Sequence, residues 1–158
     1  MKRNTHRRIL QTIFILGLFG VLLASFLTIT HYTGTPGVAC PKKAHGMPTC
    51  DIVNQSIYAE IFGIPIALIA VFVYAAYSMM AYLLLIGKRL ASLLSMRLYQ
   101  GLVLISGASM LFALYLIYTL YAILRTTCVY CIVAHAITLA IFILSLVALF
   151  QARKAKVK

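Results

Sequence analysis

Acid is nearly absent from this sequence. Asp51 and Glu60 are its only carboxylate side chains, against fourteen lysines and arginines, for a formal net charge of +12. Charge of either sign is scarce, at 10% of residues, while 63% are hydrophobic. A soluble domain carries about 25% charged and about 45–50% apolar residues. These proportions exclude one and leave a single compact membrane domain over residues 1–158, with no room for a second, soluble one. Surplus positive charge can signal nucleic acid binding. Here the basic residues sit in short clusters flanking long apolar runs, which is how membrane topology is written. A cleaved signal peptide is not expected either, because the first apolar run outlasts a signal core and no small-x-small site closes it. Haem-attachment, flavin and metal-spacing motifs are missing, as are repeats and low-complexity tracts. Cysteine is also sparse, at four residues, and the chemistry rests on those four.

What the sequence does have is four uncharged apolar runs, at about 9–30, 62–86, 98–124 and 128–150. Each reaches the ~20 residues that cross a bilayer as a helix. The expected fold is therefore an all-α integral membrane protein, a bundle of four transmembrane helices. Gly63 and Pro65 open the second run, and proline suits a first helical turn. Gly101, Ser106, Gly107, Ala108 and Ser109 let neighbours approach the third helix closely. Tyr115, Tyr118 and Tyr121 read as an interfacial aromatic belt. Between the first two runs, residues 31–59 form the only long polar segment. Its front half is rich in glycine and proline and reads as loop. From Asp51, which can cap, the pattern turns helical and predicts a short interfacial helix. Eleven basic residues flank the two tails and the middle turn, against Lys42, Lys43 and Arg125 on the other side. The positive-inside rule then puts both termini in the cytoplasm and all four cysteines on the extracytoplasmic side, where disulfides form and persist.

Cys128-Val129-Tyr130-Cys131 opens the fourth run. Two intervening residues place both sulfurs on one turn at a helix start, where unpaired N–H groups favour a thiolate. A thiolate is the species that attacks disulfides. Cys40 and Cys50 lie in the polar loop, which can swing. A mobile pair facing water and a fixed pair facing the membrane make a relay. A soluble dithiol reduces Cys40–Cys50, and the loop dithiol reduces Cys128–Cys131. No protein cofactor motif takes the electrons onward, so a lipid-soluble quinone of the ubiquinone or menaquinone type is the expected acceptor. Cys131, deeper in the helix, is assigned to the quinone, and Cys128 to exchange with the loop. Cys40 is assigned to the partner and Cys50 to Cys128. His135 follows Cys131 by four residues and shares its helix face, as a quinone contact or an interhelical hydrogen bond. Asn54, Ser56 and Tyr58 line the same pocket or a solvated helix face. Glu60 reads as a proton carrier or, by preference, as a surface residue paired with Arg125. Three other readings stand beside the relay: inert disulfides bracing a loop, a zinc site of four thiolates, and a non-catalytic membrane scaffold subunit.

Taken together, Cys40, the segment from Cys50-Asp51-Ile52-Val53-Asn54-Gln55-Ser56 through Tyr58-Ala59-Glu60-Ile61-Phe62-Gly63-Ile64-Pro65, and the Cys128–Cys131 motif resemble the vitamin K epoxide reductase family, in its prokaryotic quinone-reducing branch. The resemblance spans roughly Ile9 to Phe150. It implies a four-helix bundle around a quinone, capped by the loop and its short helix. It implies Cys128 and Cys131 as the active-site pair, Cys40 and Cys50 as the shuttle pair, Ser56 in the quinone pocket, and a headgroup contact from His135 where animal members carry tyrosine. The asparagine of animal members falls on Met79, which points to a respiratory quinone rather than vitamin K epoxide. DsbB-type reductases place their two cysteine pairs in the opposite order. Some family members carry a fused thioredoxin-like domain. None is expected here, so the partner is expected to be a separate DsbA-like thioredoxin-fold protein, which this enzyme reoxidises to drive disulfide formation.

Overall fold

The computed structural model describes residues 2–34, 49–86 and 92–156. Cys40, the rest of the loop from 35 to 48, and the turn at 87–91 lie outside them.

Helix α1 runs Lys2–Thr33, beyond the apolar run at both ends. Nothing in the flanking polar residues breaks a helix until Gly34. There φ is +64°, and the Gly34 N–H returns to the Thr30 carbonyl at 3.0 Å, a left-handed glycine stop. A short helix α2, Thr49–Asn54, and one 3-10 turn, Ile57–Ala59, form a cap. Asp51 lies inside the first turn of α2 rather than at its cap position, because the helix begins two residues earlier than expected.

The second span starts later than the hydrophobic run suggested. Residues 60–65 form a minimal hairpin, β1 (Glu60–Ile61) with β2 (Ile64–Pro65), in which Glu60 pairs with Pro65 and Ile61 with Ile64. Phe62 and Gly63 make the turn, both with positive φ (52° and 77°). Two positive φ values match the twist of a two-residue hairpin. Pro65 thus ends a strand, and α3 occupies Ile66–Ile86. Helix α4, Ser92–Tyr118, ends in a π-helical turn, Thr119–Ile123. Helix α5 spans Val129–Lys156. Among the described residues, four helices are long and apolar enough to cross a membrane, Thr5–Thr33, Ile66–Ile86, Leu94–Ile123 and Val129–Lys154. The protein is a multi-pass, all-α membrane bundle.

Lipid tails are as apolar as leucine, so such helices associate through close packing and interhelical hydrogen bonds. The closest approach is between α1 and α3. A Cβ on Gly20 would strike the Tyr74 ring, and one on Gly17 would strike the Ser78 hydroxyl and lie 3.2 Å from the Tyr74 carbonyl. The small residues singled out on α4 pack less tightly: a Cβ on Gly101 would meet its nearest neighbour at 3.7 Å. Ile13, Tyr77, Leu102 and Ile141 are fully buried at the centre. Leu22, Phe72, Leu104 and Leu111, each about 70% exposed, face outward, and so do Tyr115, Tyr118 and Tyr121. At one end of the bundle His6 sits between Tyr99 (2.7 Å) and Gln151 (3.2 Å), bringing α1, α4 and α5 together. Cys50 and Cys128 lie together at the other end.

Candidate active site

The π-helical turn, with its extra residue, is what places the cysteines. Its Leu124 N–H bonds the Thr119 carbonyl at 3.0 Å, and the Thr126 N–H reaches the Leu120 carbonyl at 3.2 Å. Arg125 between them takes φ +47°. The chain therefore doubles back within a few residues and delivers Cys128 to the start of α5. Such turns recur at functional sites.

Cys128 and Cys131 form a disulfide with their Cα atoms 5.2 Å apart. Cys128 occupies the cap position of α5: its carbonyl accepts the Ile132 N–H at 3.1 Å, and its sulfur accepts the Cys131 N–H at 3.2 Å. A capping side chain receives the N–H three residues on in the same way. Cys50 on α2 is itself disulfide-bonded. It is 2% exposed and clusters with Leu120 and Cys128, which is 1% exposed. Cys40 lies outside the described residues, and its pairing with it. The structure thus brings three of the four cysteines to one end of the bundle.

Beneath them lies a cavity of about 530 Å³. Cys128, Cys131 and His135 line it from α5, and Asn54, Ser56 and Tyr58 from the cap. Six of the seven candidate site residues in the described chain therefore border one space, and the seventh, Cys50, packs against Cys128 beside it. Their hydrogen bonds sort them further. Asn54 donates its amide hydrogens to the Leu27 carbonyl (3.0 Å) and Thr30 Oγ1 (3.1 Å), bracing the cap on α1. Ser56 donates to the Val53 carbonyl at 2.8 Å. The Tyr58 hydroxyl and the His135 ring have no hydrogen-bond partner among the described residues. The interhelical bond weighed for His135 is thus not seen there.

Glu60 pairs with His31 Nε2 at 3.1 Å, not with Arg125 as the sequence suggested. His31 Nδ1 meets the Asn54 carbonyl. The last turn of α1 reaches the cap because the helix outruns its apolar segment. Met79 is 59% exposed and does not line the cavity. The second span instead contributes Tyr74 and Tyr77, neither of which the sequence reading singled out. The Tyr74 hydroxyl donates to the Ala134 carbonyl (2.8 Å) and lies 2.9 Å from Thr138 Oγ1. The Tyr77 hydroxyl donates to Ser109 Oγ at 2.7 Å. Together they form a polar floor under a mostly apolar chamber. The available signal was two polar-tipped aromatics inside an aliphatic span, a pattern that favours the bundle interior.

A disulfide at the mouth of the last helix, over a chamber walled by four membrane spans, defines a class: membrane proteins built around a cysteine pair. The family model of the vitamin K epoxide reductase family matches residues 11–146, and the chain belongs to that family. Membership and the cysteine pair point to a membrane disulfide oxidoreductase. Members of the family use quinones.

Proposed function

We propose that this protein oxidises a thioredoxin-fold dithiol partner outside the cytoplasm and passes the electrons to a membrane quinone. One observation carries the reading: Cys50 is buried against Cys128 directly above the chamber that Cys131 lines. A partner thiolate attacks the Cys40–Cys50 disulfide, and the partner leaves as its own disulfide. The Cys50 thiolate then attacks Cys128 and releases Cys131 as a thiolate; Cys40 next closes on Cys50 and releases Cys128 as a thiolate. Two electrons have then moved inward, with two protons to follow.

The donor set fits a quinone. The chamber is mostly aliphatic, falls in the range of ordinary ligand sites, and carries two unpartnered polar groups, Tyr58 and His135. A bound quinone supplies an acceptor for two electrons and two protons. His135, one turn below Cys131, and Tyr58 on the cap would each offer a hydrogen-bonding group to its headgroup. Asn54 keeps the cap seated, which excludes water from the thiolates. The charge asymmetry of the sequence supports both termini in the cytoplasm and the cysteines outside.

Anaerobic incubation of the purified protein with a reduced DsbA-like partner and a series of ubiquinone- and menaquinone-type quinones tests this. Quinol formation is expected, abolished by Cys131→Ser, with a trapped Cys50–Cys128 link on peptide mapping. A Cys131→Ser protein that still forms quinol would overturn the scheme. A parent that forms none with any quinone would favour a scaffold with structural disulfides.

A further inference from the structure

At the end of the bundle opposite the cysteines, a second cavity of about 320 Å³ lies between α4 and α5. Val103, Leu104 and Leu149 wall it, with Gln100 and Arg153 at its rim. Arg97 precedes Gln100 by three residues and Leu104 by seven, so it shares their face of α4. Arg153 follows Leu149 by four on α5. Two arginines therefore flank the mouth of a groove whose body is aliphatic. Both are exposed, and neither has a hydrogen-bond or ion-pair partner among the described residues. The contact of His6 with Tyr99 and Gln151 brings Arg7 and Arg8 to the same end. The chain's two carboxylate side chains, Asp51 and Glu60, belong to α2 and β1 at the far end. Among the described residues no carboxylate side chain lies at this end, which leaves the two guanidinium groups available to an external anion.

We propose that this groove is a binding site for one anionic phospholipid, its acyl chain along Val103, Leu104 and Leu149 and its phosphate between Arg97 and Arg153. Guanidinium groups meet phosphate oxygens in a planar, bidentate fork, and basic recesses between membrane helices take acidic headgroups. A second copy of the chain is a poorer occupant. A two-fold dimer through this face presents the same patch to itself, setting arginine against arginine.

The protein has no tryptophan, so Phe150→Trp, beside Leu149 and 58% exposed, gives a sole reporter without altering the groove's lining. The variant is reconstituted in phosphatidylcholine vesicles containing a small fraction of brominated phosphatidylglycerol or, separately, brominated phosphatidylcholine. Quenching by the anionic lipid is expected to exceed that by the neutral one, with a preference of about fivefold for each arginine. Arg97→Gln with Arg153→Gln should erase the difference while the protein stays folded. Equal quenching by the two lipids overturns the site. A preference that survives both substitutions overturns it too, since surface potential alone then explains it. Loss of quenching by either lipid, as a covering second chain would cause, also refutes it.

Discussion

Asn54→Ala removes the brace between cap and bundle and leaves the cysteines untouched. The side chain donates two hydrogen bonds to α1, at 3.0 and 3.1 Å. Each contributes about 1 kcal/mol net, so docking of the cap weakens by about 2 kcal/mol. With tenfold per 1.4 kcal/mol, the undocked fraction rises about thirtyfold. Cys50 reports that fraction, because it is 2% exposed when the cap is seated. In mildly reduced protein, alkylation of Cys50, followed by mass spectrometry of its peptide, should therefore accelerate about thirtyfold in Asn54→Ala. Gln55→Ala, its exposed neighbour, should leave the rate unchanged. A rate within twofold of the parent would show that Asn54 does not hold the cap, and the account of how the chamber stays closed would fail with it.

Replacing His135 by phenylalanine should lower quinone reduction by about a hundredfold or more while reduction of the loop disulfide by the partner proceeds normally. His135→Tyr, which keeps a donor, should retain more activity than His135→Phe, and stopped-flow separation of the two steps checks both. Gly20→Val drives methyl groups into the Tyr74 ring and should cost about 1–3 kcal/mol, read as a lowered thermal midpoint. Gly101→Ala, with 3.7 Å of clearance, should be close to neutral, and equal losses at the two glycines would contradict the packing. The Thr126 hydroxyl is buried without a partner among the described residues, so Thr126→Val should be neutral or stabilising by up to about 1 kcal/mol. A clear drop in thermal midpoint would reveal a hydrogen bond there.

The spans were legible because bilayer thickness translates directly into run length, and the cysteine end was legible because helix order and loop position follow from the spans. The start of the second span was not. Phe62 and Ile64 are as apolar as the helix after them, and only Gly63 marks a turn; hydropathy does not separate a tiny hairpin from a first helical turn. The tightest seam, between α1 and α3, was not legible for a related reason. The small residues on α4 outnumber Gly17 and Gly20, but what decides proximity is the neighbour opposite. Tyr74, bulky and anchored on α5, fills the space beside Gly20, and that pairing is tertiary information. Glu60 was assigned to Arg125 by nearness to the membrane edge. Its partner is His31, because α1 continues one turn past its hydrophobic limit, a consequence of having no breaker before Gly34.

The sulfur of Cys128, sitting where a helix usually places serine or aspartate, bears on the energetics of the reaction. An amide already directed at that atom welcomes negative charge once Cys128 is released as a thiolate. Favouring the open, charged form raises the reduction potential of the couple. That is the direction the proposed relay asks of its inner pair, the one that faces the lipid.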